Sequence, residues 1–273
     1  MHTRTIPSSG QAIPVIGLGT YPMFDVTLGA ANRAPLETVM RTLFEAGGRL
    51  VDSSPMYGKS EQVCGQLLDE NRWRDTCFVA TKVWTTGEAR GQAEMRNSLK
   101  HFRRDSLDLM QIHNLSDWRT QLNSARALQA KGVFRYVGIT HYTSSAFDDV
   151  ESVLRAEQLD FLQINYSVAE PEAARTLLPL CQERGIAVLI NRPLGKGAPL
   201  RKARSKPLPP VAAELGCTSW AQLLLKFVVG HPAVTCAIPA TGNPDHMADN
   251  VKAGMGVLPD AKQCAAILKT LSV

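Results

Sequence analysis

Residues 107–140 read LDLMQIHNLSDWRTQLNSARALQAKGVFRYVGIT. Two apolar runs, 107–113 and 134–140, flank a helix-patterned segment that closes at Lys131-Gly132. Neither run alternates apolar with polar residues. Near-continuous hydrophobicity marks a strand buried on both faces, as in a parallel sheet. Working outward, similar runs occupy 15–20 (VIGLGT), 49–54 (RLVDSS), 77–82 (CFVATK), 161–167 (FLQINYS), 187–191 (AVLIN) and 234–239 (VTCAIP), which makes eight.

Helical patterns fill the gaps. The first has Pro35 near its start, Leu36, Val39, Met40, Leu43 and Phe44 on one face, and Gly47-Gly48 as its stop. The second opens at Ser60-Glu61, the third carries Met95, Leu99 and Phe102, and the fifth starts from Thr143-Ser144-Ser145. The sixth runs from Glu170-Pro171-Glu172 to Arg184-Gly185, and a short helix near 210–215 precedes 218–229. Asn243-Pro244-Asp245 is an N-cap followed by proline in the first turn, and a further helix spans 260–271. Eight strand–helix units predict an α/β fold, a (β/α)8 TIM barrel formed by one domain, 1–273. The segment RTIPSSGQAIP before the first strand reads as a β-hairpin over the barrel's N-terminal end, and the last helix is an extra one. An open doubly wound sheet would carry a GxGxxG turn after its first strand, where this chain has GLGTYPMF.

Composition narrows the function. The chain has 273 residues, 44% hydrophobic and 20% charged, as in ordinary soluble proteins. No apolar run approaches the ~20 residues that cross a bilayer, and the start MHTRTIPSSGQAIP lacks the apolar segment of an export leader. Cytoplasmic residence is expected, with a previously trimmed leader left open. Six scattered cysteines without CxxC or Cys/His spacing read as free thiols in a reducing compartment, not as a metal site or disulfides. Of the net charge of +5, much lies in 192–206, RPLGKGAPLRKARSK, where Arg192, Lys196, Arg201, Lys202, Arg204 and Lys206 have no acidic neighbour. No aromatic residue is interleaved for stacking on bases, which disfavours nucleic acid and suits a small anionic ligand. A monomer acting on small molecules is expected.

In a (β/α)8 barrel the active site lies at the C-terminal rim of the strands. Asp52 ends the second strand and Tyr57 follows it, Lys82 ends the third, and His113 ends the fourth. Consecutive strands therefore bring four titratable groups to one rim. A buried lysine needs a counter-charge, which Asp52 supplies. A cation beside Tyr57 is expected to lower the phenol pKa from ~10 and make it a proton donor to a carbonyl oxygen. His113 is expected to orient that carbonyl.

The segment SPMYGKSE, preceded by Asp52-Ser53, and then ATKVW, QIHN, GITHY, LQINYS, RPLG and IPATGNPDHMADN, in this order, resemble the aldo-keto reductase superfamily over essentially the whole chain. The resemblance implies an NAD(P)H-dependent reductase of aldehydes or ketones without a metal. Its catalytic tetrad corresponds to Asp52, Tyr57, Lys82 and His113, with hydride passing from nicotinamide and a proton from Tyr57. It also implies cofactor contacts at Leu18 and Thr20, at Thr140 and His141 (where the family usually has Ser-Asn), and at Gln163 on the nicotinamide carboxamide. Asn191, Arg192, Leu194, Gly195 and Lys196 follow the seventh strand, with Asn191 standing where many members stack an aromatic ring. Around the last strand the same comparison points to Ile238, Thr241, His246, Asp249 and Asn250. Ala240 and His246 replace a Lys and an Arg that grip the adenosine 2′-phosphate in many members. NADPH is the implied cofactor, with NADH an alternative, and the basic segment 192–206 is expected to compensate over the phosphates. Tyr21, Met23, Trp84 and Trp118 are the expected substrate-pocket walls. Two other readings stay open: a cofactor-binding sensor or regulatory subunit with slow turnover, and a Schiff-base aldolase using Lys82.

Overall fold

The computed structural model describes residues 1–271. A two-stranded antiparallel hairpin, β1 (Thr3–Thr5) and β2 (Ala12–Pro14), comes first. Eight strands follow: β3 (Leu18–Gly19), β4 (Leu50–Asp52), β5 (Phe78–Val83), β6 (Leu107–His113), β7 (Phe134–Thr140), β8 (Phe161–Asn165), β9 (Ala187–Asn191) and β10 (Cys236–Ala237). They pair in chain order, every neighbour parallel. β6, β7 and β9 have the bounds expected from sequence, whereas the first and last strands are shorter.

The barrel closes between those short strands through parallel bridges Ile16–Ala237 and Gly19–Ala240. Glycine is needed at this seam. A Cβ on Gly17 would lie 2.8 Å from the Leu50 carbonyl oxygen, and one on Gly19 would lie 2.8 Å from that of Ile238. With no side chain in the way, the Gly17 amide donates to the Ala237 oxygen at 2.9 Å.

Helices α1 (Ala30–Glu45), α2 (Ser60–Glu70), α3 (Glu88–His101), α4 (Trp118–Gln129), α5 (Phe147–Ala156) and α6 (Leu177–Glu183) cover the outside. They are followed by α7 (Ala198–Ala203), α8 (Pro210–Glu214), α9 (Trp220–Gly230), α10 (Pro244–Asn250) and α11 (Ala261–Leu271). Three differ from expectation. α6 begins at Leu177 rather than at Glu170-Pro171-Glu172, where the chain makes a separate 3-10 turn, Glu172–Ala174. α1 begins at Ala30, so Pro35 lies inside it rather than near its start, and the Ala31 carbonyl loses its usual amide partner. The basic segment holds a helix, α7, because Pro199 and Ala203 are buried beneath it. None of the helices among the described residues is long and apolar enough to cross a membrane.

Two apolar layers result from strand alternation. Outward residues such as Val51, Val79, Met110, Leu162 and Val188 pack against the helices. Inward residues Leu50, Phe78, Leu109, Tyr136, Phe161 and Leu189 fill the barrel, and Ile6 and Ile13 of the hairpin seal its N-terminal end. Burying each such side chain contributes about 1.5–3 kcal/mol. The Tyr136 hydroxyl ties the hairpin down, bonding Ser9 Oγ at 2.7 Å and Gln11 Oε1 at 2.9 Å. Because side chains alternate with period two, the next inward positions at the other end are Asp52, Lys82, Gln111, His113, Gln163, Asn165 and Asn191. The polar rim is the continuation of the apolar plug.

Candidate active site

Asp52 and Lys82 are almost fully buried, with 4% and 1% of their side chains exposed. The Lys82 ammonium donates to Asp52 Oδ2 at 2.7 Å and to the Ser53 carbonyl at 2.7 Å. Asp52 Oδ1 accepts from Gln111 Nε2 at 3.2 Å. Tyr57 sits in a 3-10 turn, Pro55–Tyr57, whose start is capped by Ser54: its Oγ accepts from the Met56 amide at 3.2 Å. The turn brings the Tyr57 ring over Lys82, whose Nζ lies 5.0 Å from the ring centroid. His113 stands edge-on to Tyr57, with centroids 6.0 Å apart. The structure brings all four groups together.

Their charges are set by burial and by one another. Burial works against the Lys82 ammonium, yet Asp52 and Tyr57 beside it hold its pKa above the ordinary lysine value. For Tyr57 the balance reverses the expectation from sequence. Burial pushes its pKa above the usual phenol value, and the Lys82 charge offsets this only in part. Tyr57 thus keeps its proton at neutral pH, above a Lys82 charge that favours its phenolate form. Burial, then the Lys82 charge and His141, push His113 down to about 3, so it is a neutral imidazole.

The rim is walled by aromatic residues. Tyr21 is 57% exposed with its ring 5.0 Å from that of Tyr57, and Trp84 is 46% exposed with its ring 6.3 Å from that of His113. The Trp84 amide is fixed by the Glu94 carboxylate. Met23 is exposed and lines a neighbouring cleft. Trp118 is different: it lines a separate cleft with Leu115, Arg119 and Asp149, between α4 and α5.

Across the rim, Thr140 Oγ1 donates to Gln163 Oε1 at 2.9 Å, and Asn191 Nδ2 donates to the His141 carbonyl at 2.9 Å. Gln163 Nε2, Asn191 Oδ1 and both amide atoms of Asn165 are buried without a protein partner. Orphaned amide groups at one strand end form a seat of donors and acceptors for a ligand amide. Half-buried His141 stacks on Tyr142, its centroid 5.5 Å away, and burial lowers its pKa. Arg192 is committed locally, donating to the Tyr142 carbonyl at 2.9 Å with its guanidinium 4.3 Å over that ring. Leu194, Gly195 and exposed Lys196 continue into the turn before α7.

A cleft of about 470 Å³ lies between the start of α1 and the loop into α10, lined by Pro35, Leu36, Ala240, Thr241, Asn243 and His246 among others. Thr241 Oγ1 accepts from the Asn243 amide at 3.0 Å. Three expected cofactor positions present their side chains elsewhere. Leu18 packs in the layer beneath the helices, and Ile238 belongs to the barrel interior. Asp249 is held by Ser219 and Gln222 of the α9 start, so its carboxylate is already engaged. Thr20 bonds the Asp52 carbonyl and Ser53 Oγ, each at 3.0 Å, bracing the strand under the tetrad. Asn250 is buried. Among the described residues no group of His, Cys, Asp and Glu could hold a metal ion.

A sequence model of the Aldo/keto reductase family matches residues 15–269. The chain belongs to that family. It is 27% identical to the methylglyoxal reductase YeaE of Escherichia coli, a match covering 92% of this chain and 89% of that one. It is 26% identical to the aldo-keto reductase YhdN of Bacillus subtilis, over 72% of this chain and 63% of the length of that relative. A Klebsiella pneumoniae aldo-keto reductase crystallised with NADPH superposes with a TM-score of 0.81 at 25% identity, covering 99% of this chain and 96% of that one.

Within this aldo/keto reductase, sequence reasoning overlooked Gln111, Asn165 and the Ser53-Ser54 pair. The signal for two of them was present. Gln111 lies two residues before His113 and Asn165 two after Gln163, so each shares the inward face of its strand.

Proposed function

We propose that this chain reduces aldehyde or ketone carbonyls to alcohols with NADPH, and that Asp52, Tyr57, Lys82 and His113 carry the proton chemistry. The carrying observation is the buried Lys82–Asp52 pair, 2.7 Å apart, directly beneath a protonated Tyr57. Bound NADPH supplies the hydride to the carbonyl carbon. Tyr57 gives its proton to the carbonyl oxygen, and the Lys82 ammonium stabilises the phenolate left behind. Neutral His113 donates a hydrogen bond to the same oxygen and orients it. Thr140, Gln163, Asn165 and Asn191 would hold the nicotinamide amide, a role that the orphaned atoms of Gln163, Asn165 and Asn191 fit. The NADPH-bound Klebsiella relative and the methylglyoxal activity in the name of the Escherichia coli relative support this cofactor and a small carbonyl substrate.

Of the large exposed apolar side chains, Tyr21, Met23, Met56, Trp84 and Tyr142 belong to the rim segments, and only Met255 and Val257 lie elsewhere among the described residues. That leaves little apolar surface for an obligate interface, which supports a monomer acting on small molecules rather than on nucleic acid. Buried free thiols at Cys64, Cys77, Cys181, Cys217 and Cys236 suit a reducing cytoplasm. The test is NADPH oxidation with a panel of aldehydes, wild type beside Tyr57→Phe. Turnover undiminished in Tyr57→Phe would remove Tyr57 from its role. Borohydride trapping of a lysine adduct would favour the aldolase reading instead.

A further inference from the structure

The buried hydroxyl of Ser54 touches two site residues at once. Its Oγ is fully buried and lies 3.2 Å from His113 Nδ1, while accepting from the Met56 amide at 3.2 Å. The Ser54 carbonyl in turn accepts from the Tyr57 amide at 2.9 Å. We infer that Ser54 is a positioning residue: its hydroxyl donates to Nδ1 of His113, fixes the imidazole proton on Nε2, and holds that donor in register with the Tyr57 turn.

The direction of the bond follows from counting protons. A serine hydroxyl has one hydrogen to give and two lone pairs to accept with. The Met56 amide uses one lone pair. Were Nδ1 also a donor, the Ser54 hydrogen would be buried without an acceptor, because no other acceptor contacts Oγ among the described residues. An unsatisfied buried donor disfavours that arrangement by roughly one to two powers of ten in population. Donation from Ser54 to Nδ1 satisfies every group. A neutral imidazole then carries its proton on Nε2, and Nε2 has no partner among the described residues.

The ring lies between Tyr57 and Trp84, centroids 6.0 and 6.3 Å away, so the free N–H serves the space where a substrate oxygen receives the Tyr57 proton. One short side chain therefore aligns both the acid and the orienting donor. The role rests on the proposed reductase reading, but the tautomer does not, so the two can fail separately.

NMR of the isotope-labelled ring nitrogens of His113 in the wild-type chain reads the tautomer directly, without turnover. The expected result is a protonated Nε2 and a bare, hydrogen-bonded Nδ1 across neutral pH; a protonated Nδ1 overturns the inference. Ser54→Ala should shift the nitrogen signals toward a tautomer mixture and lower kcat/KM for an aldehyde by roughly three- to tenfold, the worth of one neutral hydrogen bond. Ser54→Thr, which keeps the hydroxyl, should restore both. Wild-type nitrogen signals in Ser54→Ala, or equal defects in the Ala and Thr variants, would reduce Ser54 to a packing residue. Loss of turnover with an intact Nε2–H signal in Tyr57→Phe would leave the inference standing.

Discussion

Replacing Lys82 by Met separates the structural role of the buried charge from its chemical one. Its ammonium makes two 2.7 Å bonds, to Asp52 Oδ2 and to the Ser53 carbonyl. At 2.7 Å and an effective dielectric of ~20, the attraction between the two ions is about 6 kcal/mol. Desolvating two buried ions costs a comparable amount, so the intact pair contributes little net stability. Removing one partner is another matter. Asp52 would keep its burial with only Gln111 at 3.2 Å to answer it. The expected loss is about 3–5 kcal/mol, a large share of the ~5–15 kcal/mol that holds a domain folded. Urea unfolding followed by tryptophan fluorescence measures it. The double variant Asp52→Leu/Lys82→Met leaves no orphaned charge and should recover most of that loss. Activity should not follow, because the phenolate of Tyr57 still lacks its cation: kcat/KM should stay down by about 10²–10⁴ in both variants. Lys82→Met within about 1 kcal/mol of wild type, or a double variant no more stable than the single, would refute this account of the pair.

Asn165→Leu should weaken NADPH binding, read by quenching of protein fluorescence, while leaving the unfolding midpoint unchanged or raised, because both amide atoms now lie buried without partners. Unaltered affinity would remove Asn165 from the amide seat. His113 has an unfolded pKa of ~6.5 and a folded one of about 3, so the unfolded state binds the extra proton between these values. Its contribution to stability is complete above the upper value and is lost as pH falls toward the lower one. His113→Asn should therefore flatten the acid-side fall in urea midpoint, and an equally steep fall in the variant would contradict this. In Lys196→Ala and Arg204→Ala, two exposed cations of the basic segment, kcat/KM with NADPH should drop several-fold more than with NADH, and salt should shrink the difference. Unchanged ratios would sink the proposed role of this segment over the cofactor phosphates.

The barrel was legible because its interior obeys one rule. Leu50 and Asp52, or Leu109, Gln111 and His113, are the same strand face read at successive depths. Asp52, Lys82 and His113 could be grouped because each lies at the end of a strand, and Tyr57 because it follows one; their joint role was what the family resemblance implied. What escaped was whatever depends on a partner far along the chain. Asp249 is captured by Ser219, 30 residues away, and Trp118 follows α4 outward to the cleft beside α5. The direction of the Tyr57 shift depended on how completely the turn buries its ring, which spacing does not encode. Nothing in the residues around Gly17 and Gly19 marks them as the seam where the barrel closes, because the strand that meets them there is more than 200 residues away.

On the proposed mechanism, the charge state of the site also decides which group is the acid. Lys82 and Asp52 cancel, His113 is neutral and Tyr57 is protonated, so the cluster carries no net charge before reaction. Lys82 is held above the ordinary lysine value by Asp52 and Tyr57, which makes it a poor proton donor and, equally, a poor nucleophile. Schiff-base chemistry requires a neutral amine, and this pairing keeps the amine charged. Tyr57 is left as the group whose proton can depart, because its departure converts the cation beneath it from a spectator into a partner. A phenol with its pKa raised is an acid only beside such a charge. The same burial that raises it also keeps water from competing for the ammonium.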